Sequence, residues 1–297
     1  MDPPYSLNLN SPKKLLEYIS HYQFSPKKKL GQNFLVDQNI TAIIVKALCL
    51  NNKEAIFEIG AGLGALTKAL LFSTQHVFSI EKDFRLKPML EDLFQADQEH
   101  VTILYKDIMD FDLAGFLKEK KQEGWQIEKI TGNLPYFISL PLLRKLMEMH
   151  DLLKMAVVMV QKEVAERMMA KPGNKNYGLL SVMAQVYSRI EKIHLVKPDV
   201  FFPKPEINSM IVRIIFLDKP FVLAENESLF FELVRAVFQQ RRKNINNALK
   251  LYFGERIDKD KLEQSLQKIG FNIKQRGETF GLKEFAQLTS EIKRIIK

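Results

Sequence analysis

The chain has 297 residues, is 46% hydrophobic and 27% charged, and carries a formal net charge of +9 with a sequence pI near 9.3. That composition is ordinary for a soluble protein of one large or two average domains and excludes wholesale disorder. No apolar run approaches the ~20 residues a bilayer span needs, and no basic start followed by an apolar core marks a secretory signal, while the basic balance favours a polyanionic partner, nucleic acid first and an anionic membrane surface second.

The first 24 residues read as an arm, Pro-containing, polar and without a clear period. A basic triplet, Lys27, Lys28 and Lys29, follows, and then the segment GQNFLVD. The stretch 38–50 has helical spacing through Ile40, Ile43, Ile44, Ala47 and Leu48. Cys49, the single cysteine, sits at its end and reads as an ordinary buried residue. One thiol makes no internal disulfide and gives no basis for a metal site, which fits a cytoplasmic protein. Short apolar runs then alternate with helical ones. Strands are expected at 55–60, 76–81, 101–105, 126–132, 154–161, 192–197 and 209–217, with helices at 63–73, 84–95, 140–150 and 162–170. This alternation predicts an α/β fold: a mostly parallel sheet covered by helices on both faces, with an antiparallel edge formed by the last two strands. Beyond about residue 219 the alternation stops, and three helical stretches predict a small all-helical appendage. The expected division is an arm at 1–24, a sheet domain at 25–219 and a helical domain at 220–297.

FEIGAGLGALT places Gly60, Gly62 and Gly64 at the end of the first strand of the α/β unit. Glycines there allow a tight turn and close approach of backbone to ligand, at the carboxyl ends of the strands where open α/β sheets bind ligands. Glu81 ends the second strand, where a carboxylate can accept hydrogen bonds from both ribose hydroxyls. Asp107 follows the third, where a carboxylate can hold an adenine amino group. One glycine loop is weak evidence, but glycines and two acids after successive strands point to a nucleoside-bearing cofactor. S-adenosylmethionine and NAD both qualify, and the spacing G-x-G-x-G, not G-x-G-x-x-G, disfavours a pyrophosphate.

The tetrapeptide Asn133-Leu134-Pro135-Tyr136 follows the fourth strand. An Asn carbonyl oxygen and the Leu134 backbone carbonyl can accept the two hydrogens of an exocyclic amine. Pro135 restricts Leu134 so that its carbonyl can be aimed, and Tyr136 offers a flat face for a base. Acceptors on an aromatic amine favour a pyramidal nitrogen and stabilise the positive charge it gains in attacking a methyl group.

GQNFLVD, EIGAGLGALT, SIEKD, KDIMDFD, GNLPYFIS, QKEVAERM, YGLLSVMAQ and FFPKPEINS stand in the order found in ribosomal RNA adenine N6,N6-dimethyltransferases of the KsgA type. The chain closely resembles that family from about residue 25 to 217, and more weakly through VFQQRRKNINNAL. The resemblance implies a Rossmann-like S-adenosylmethionine-dependent methyltransferase sheet. It implies dimethylation of two adjacent adenosines near the 3′ end of small-subunit (16S) ribosomal RNA, by a monomer acting on an immature 30S-type particle and coupled to small-subunit maturation. Cofactor contacts carry over to Asn33, Leu35, Gly60, Glu81, Asp107 and Asn133. Asn133, Leu134 and Tyr136 orient the amine and stack the base, and Phe201 covers its other face, with Phe202 the expected core residue. Two departures, Ala61 in the glycine loop and Phe137 after the tetrapeptide, remove no expected ligand.

Lys27, Lys28, Lys29 and the cluster Arg241, Arg242 and Lys243, expected on the first appendage helix, are candidate phosphate contacts, with salt-sensitive binding. The rival readings are a methylase of large-subunit RNA with the same fold and tetrapeptide, and a non-catalytic assembly or transcription factor on the same scaffold. Intact Asn133, Pro135 and Tyr136 favour activity.

Overall fold

The computed structural model describes residues 12–222 and 224–296. In chain order the elements are α1 (Pro12–His21), β1 (Phe34–Leu35), α2 (Gln38–Leu48), β2 (Ala55–Ile59), α3 (Ala65–Leu70), β3 (His76–Glu81), α4 (Lys87–Leu93), β4 (Val101–Tyr105), α5 (Leu113–Gln122), β5 (Lys129–Asn133), α6 (Ser139–Glu148), β6 (Met155–Gln161), α7 (Lys162–Met169), α8 (Leu179–Tyr187), β7 (Ser188–Val196), β8 (Phe201–Phe202), β9 (Ser209–Phe216), α9 (Ala224–Gln239), α10 (Ile245–Phe253), α11 (Lys259–Lys268) and α12 (Leu282–Ile292). They fall into two compact units. One takes in the chain to Ala165 together with Glu191–Phe216, and the other Glu166–Ile190 together with Leu217–Lys297.

The first unit holds a seven-stranded sheet in the order β4-β3-β2-β5-β6-β9-β7. Five strands, β4 to β6, are parallel, and β9 runs antiparallel to β6. Every residue of β2 and β3 is buried, because parallel strands covered on both faces bury alternate side chains in both directions. The apolar runs of the sequence register this as continuous rather than alternating hydrophobicity. A separate two-stranded pair joins β1 to β8, with Phe34 opposite Phe202 and Leu35 opposite Phe201. The sheet order has one consequence for function. From β2 the chain proceeds outward through β3 to β4, then returns to β5 on the other side of β2. The carboxyl ends of β4, β3, β2 and β5 therefore stand side by side across a reversal of strand order, where a crevice opens in such sheets.

The second unit packs α8 to α12 around a core containing Phe230, Leu233, Leu249, Phe280 and Phe285.

Four expectations are corrected. Within the expected arm, residues 12–21 form α1, with Leu15, Tyr18 and Ile19 buried in the same core as Phe34, Leu63 and Leu90. The three apolar positions have helical spacing, but the stripe is too short to stand out among polar neighbours; residues 1–11 lie outside the described residues. Second, the division at 219 misplaces residues 166–190. Tyr177 is fully buried and donates its hydroxyl to the Phe280 carbonyl at 2.9 Å, and Gly173 N–H donates to Glu278 O at 3.0 Å, which ties this stretch to the helical unit. Third, Cys49 is exposed, because α2 ends at Leu48 and the cysteine takes a left-handed conformation (φ 47°, ψ 49°) as its C-cap. Fourth, Arg241, Arg242 and Lys243 lie on no helix. They form the turn between α9 and α10, where the Asn244 side chain caps α10 by accepting from Asn247 N–H.

Candidate active site

An open cleft of about 1100 Å³, counting space continuous with solvent, lies at the carboxyl ends of the parallel strands. Its walls include all six expected cofactor residues, Asn33, Leu35, Gly60, Glu81, Asp107 and Asn133. The tetrapeptide Asn133–Tyr136 lines it as well.

The floor is the loop after β2. Gly60 has φ +84°, and a Cβ built there meets no atom within 4 Å, so its backbone faces open space that a ligand can enter. The loop is shaped by Glu81. One carboxylate oxygen accepts from Gly62 N–H at 2.9 Å and the other from Asp83 N–H at 2.7 Å. Burial pushes this carboxyl above its ordinary range, and those backbone donors oppose the rise. Each carboxylate oxygen has two acceptor sites, so Glu81 can hold the loop and still accept two ribose hydroxyls.

Glu58 lies beneath, fully buried in β2. Thr67 of α3 donates to one oxygen at 2.5 Å, while the other oxygen and the hydroxyl of Ser79, opposite Glu58 in β3, have no partner. Burial pushes the Glu58 carboxyl up to about 7, against the Thr67 and Ser79 hydroxyls.

Asp107 stands two residues past β4. One oxygen accepts from Met109 N–H at 2.9 Å and the other from the exposed Lys82 ammonium at 2.5 Å. Burial raises this carboxyl, but the hydrogen bonds and the charges of Lys82 and Lys145 outweigh it and hold Asp107 below its ordinary range. It is therefore a charged acceptor at neutral pH.

The tetrapeptide has a defined geometry. Asn133 is the last residue of β5, and its amide nitrogen donates to the Asn33 carbonyl at 2.9 Å. With the nitrogen engaged, Oδ1 remains as an acceptor. Leu134 N–H donates to Met159 O at 3.0 Å, and Ile138 N–H closes a turn onto Pro135 O at 3.1 Å. Tyr136 is half-buried, and its hydroxyl pairs with the buried Ser209 at the start of β9, 2.8 Å away. Burial raises the phenol, with Ser209 opposing, so it stays protonated at neutral pH.

The adjoining wall is the GQN segment. Gly31 has φ +62°, and a Cβ there would come 3.0 Å from the Phe137 ring. Only glycine combines that conformation with so close an approach. Phe137, which departs from the family pattern, is thus a 56% exposed ring lying against Gly31. Gln32 joins the segment to the Glu81 loop: its amide nitrogen donates to Asp83 at 2.7 Å and its oxygen accepts from Lys27 N–H at 2.7 Å.

Phe201 does not line the cleft. It is 4% exposed and packs with Leu35, Ile40 and Ile211, while Phe202 is only half-buried. Phe201, opposite Leu35, is thus the more buried ring, and Phe202 is not the core residue expected; a role for Phe201 against a base rests on the family resemblance alone. Among the basic residues, Lys27 and Lys29 are exposed and outside the cleft lining, and the Lys28 side chain lies outside the described residues. Arg241, Arg242 and Lys243 are exposed on the helical unit, with Arg241 bonded to Glu278 at 3.2 Å and to the Lys175 carbonyl at 3.0 Å. Ser209, Gln32 and Asp83 were missed as site residues; all three stand inside motifs already singled out, but nothing in their spacing shows the contacts.

The residues present fit S-adenosylmethionine: an open glycine floor, a partly unused buried carboxylate, a second charged acceptor and the Asn133 amide. Comparison with known proteins agrees. The sequence profile of the ribosomal RNA adenine dimethylase family matches residues 23–288. The chain is 38% identical over 276 residues to a ribosomal RNA small subunit methyltransferase A of Halothermothrix orenii, covering 93% of this chain and 91% of that protein. It is 39% identical over 286 residues to the protein of that name from Bacillus mycoides, covering 96% and 97%. The fold is similar to that of a dimethyladenosine transferase from Plasmodium falciparum, with TM-score 0.72 and 23% identity over 88% of this chain and 98% of that one. It is also similar to the 23S rRNA methyltransferase ErmE, with TM-score 0.65 and 21% identity over 88% and 100%. With a matched profile that spans the sheet unit and most of the helical one, the chain belongs to the ribosomal RNA adenine dimethylase family and is an S-adenosylmethionine-dependent methyltransferase.

Proposed function

We propose that this methyltransferase dimethylates the N6 amines of two adjacent adenosines near the 3′ end of small-subunit ribosomal RNA, within an immature small-subunit particle, as a step of subunit maturation. The relatives named small subunit methyltransferase A support the choice of subunit. The observation that carries the chemistry is the Asn133 amide nitrogen held by the Asn33 carbonyl, which leaves the amide oxygen as the acceptor for a substrate amine in this reading.

S-adenosylmethionine supplies the electrophilic methyl group when bound. Glu81 and Asp107 hold its ribose and adenine, and Asn33, Leu35 and Gly60 form the rest of its bed. Asn133 Oδ1 and the Leu134 carbonyl accept the hydrogens of the target amine. They stabilise the charge that grows on its nitrogen, the electrostatic contribution expected of preorganised acceptors. Tyr136, its hydroxyl tethered to Ser209, presents its ring to a base taken out of its stack, and such bases are held against aromatic or apolar groups. Lys27, Lys28, Lys29, Arg241, Arg242 and Lys243 contact phosphates, and the helical unit docks on structured RNA through its shape and backbone. The monomeric chain works in the cytoplasm. Among the described residues no helix is long and apolar enough to cross a membrane.

The test is incubation with labelled S-adenosylmethionine and immature small subunits lacking the modification, followed by mass-spectrometric mapping. Label on two adjacent adenosines of small-subunit RNA is expected. Label confined to large-subunit RNA favours the large-subunit reading, and no transfer by folded protein overturns the enzymatic one.

A further inference from the structure

Asp107 is followed by a tight loop. Its oxygen Oδ1 accepts from Met109 N–H at 2.9 Å, and its backbone carbonyl accepts from Asp110 and Phe111 N–H at 3.2 and 3.0 Å. Folding the chain this tightly turns three carbonyls, those of Ile108, Met109 and Phe111, toward one point. At that point sits the ammonium of Lys145, from the last turn of α6, at 2.8 Å from Ile108 O, 2.6 Å from Phe111 O and 3.4 Å from Met109 O. A lysine has three N–H donors and no acceptor, so one loop absorbs its whole donor capacity. Lys145 is half-buried, whereas Arg144 beside it is exposed and pairs with Glu148 on its own helix at 2.8 Å.

The other end of α6 touches the tetrapeptide. The helix begins at Ser139, whose hydroxyl donates to Tyr136 O at 2.9 Å. One helix thus carries both a clamp on the loop after Asp107 and the exit from the Asn133–Tyr136 turn. Asp107 and Asn133 lie at the ends of β4 and β5, strands separated in the sheet by β3 and β2. Their relative placement is set on the sheet side by three strand pairings and on the open side by this helix.

We propose that Lys145 is a positioning residue for the cofactor: it holds the Asp107–Phe111 loop, and with it the carboxylate that receives the adenine amine, in register with the acceptor turn at Asn133–Tyr136. This rests on the cofactor placement given under Proposed function. Lys145 itself touches no reacting atom. Without its ammonium the Ile108 and Met109 carbonyls lose this donor and the Phe111 carbonyl keeps Leu113 N–H at 2.9 Å, so the Ile108–Met109 side of the loop relaxes outward, since unpaired carbonyls seek water.

The experiment compares Lys145→Met, which keeps the apolar stem and removes the charge, with Lys145→Arg, Arg144→Met and Asp107→Ala in the full-length protein. S-adenosylhomocysteine affinity is read by calorimetry, and steady-state methylation is read with each substrate varied. Lys145→Met is expected to weaken S-adenosylhomocysteine binding about tenfold and to raise the KM for S-adenosylmethionine equally, a loss typical of charge-assisted hydrogen bonds. The kcat at saturating cofactor and the KM for RNA stay within about twofold of wild type, the signature of lost ground-state binding. Lys145→Arg recovers most of the affinity, and Arg144→Met matches wild type. Amide exchange at residues 108–111 rises in Lys145→Met. If that variant does not fold, Lys145→Gln, with two donors, replaces it and falls between wild type and Asp107→Ala. Wild-type affinity in the Met or Gln variant, or a loss confined to kcat or to RNA, overturns the proposal. If Asp107→Ala also binds like wild type, the cofactor placement itself has failed; if Asp107→Ala weakens binding and the Lys145 variants do not, only this inference has failed.

Discussion

The amide nitrogen of Asn133 donates to the backbone carbonyl of Asn33, 100 residues away in sequence, at 2.9 Å. That bond decides which end of the amide is offered to substrate. It also ties the acceptor turn to the GQN segment beside it in the cleft wall. Replacing Asn133 by Ala removes the acceptor, and kcat is expected to fall about a hundredfold or more, as it does when one preorganised polar group is lost from an active site. Asn133→Asp keeps an acceptor but sets a carboxylate against the Asn33 carbonyl, so it should lose S-adenosylhomocysteine affinity as well as kcat. Single-turnover methylation and calorimetry measure the two. An Ala variant retaining a tenth of wild-type kcat would remove Asn133 from the chemistry.

Tyr136 separates ring from hydroxyl. Tyr136→Ala removes the platform, and methylation should fall far more than S-adenosylhomocysteine binding; equal losses would count against base stacking. Tyr136→Phe and Ser209→Ala each break only the 2.8 Å tether. Each should cost a few-fold in kcat/KM for RNA, about 1 kcal/mol, and the double variant no more than either alone, because both remove the same interaction. Additive losses would show that the two hydroxyls act separately.

Phe201 is expected to behave as a core residue. Phe201→Ala should lower stability by about 3–5 kcal/mol in denaturant unfolding, as large-to-small changes at buried aromatics do. The methylation left at a temperature where the variant is folded should be close to wild type. A selective loss of methylation with stability intact would restore the ring to the base pocket.

Glu58 sets a pH dependence. Its folded pKa, about 7, lies above a glutamate's ordinary 4.5. The folded state therefore binds this proton more tightly than the unfolded chain does. The stabilisation is full below about pH 4.5, declines as pH rises toward 7 and is absent above. Glu81, also raised by burial, contributes with the same sign. Glu58→Gln, which cannot ionise, should exceed wild-type stability at pH 8 by on the order of 3 kcal/mol and approach it at pH 5. Urea unfolding at the two pH values decides; a difference independent of pH would show that Glu58 does not change protonation in this window.

Much of the sheet unit was legible in the sequence because its signals are local. Continuous apolar runs marked β2, β3 and β6, and the turn glycines and terminal acids stood at fixed offsets from them. Which of Phe201 and Phe202 is the more buried was not legible, since two adjacent phenylalanines in a strand of two residues carry no alternation to say which turns inward; the pairing with Phe34 and Leu35 decides it. Residues 166–190 were assigned to the sheet unit, and it takes the buried Tyr177 and the Gly173–Glu278 hydrogen bond to show where they pack.

By itself the sequence determined which residues have the chemistry: an open glycine backbone, carboxylates at strand ends, and an amide, an aimed carbonyl and a ring in four consecutive positions. Those are properties of residue type and short-range geometry. The tertiary structure decided what each group is free to do. Hydrogen bonds across the fold consume particular donors and acceptors, so Asn133 keeps its oxygen, Glu81 keeps part of its capacity, and Lys145 is spent entirely on three carbonyls. Such partners are remote along the chain and close in space, and no spacing in the sequence encodes them.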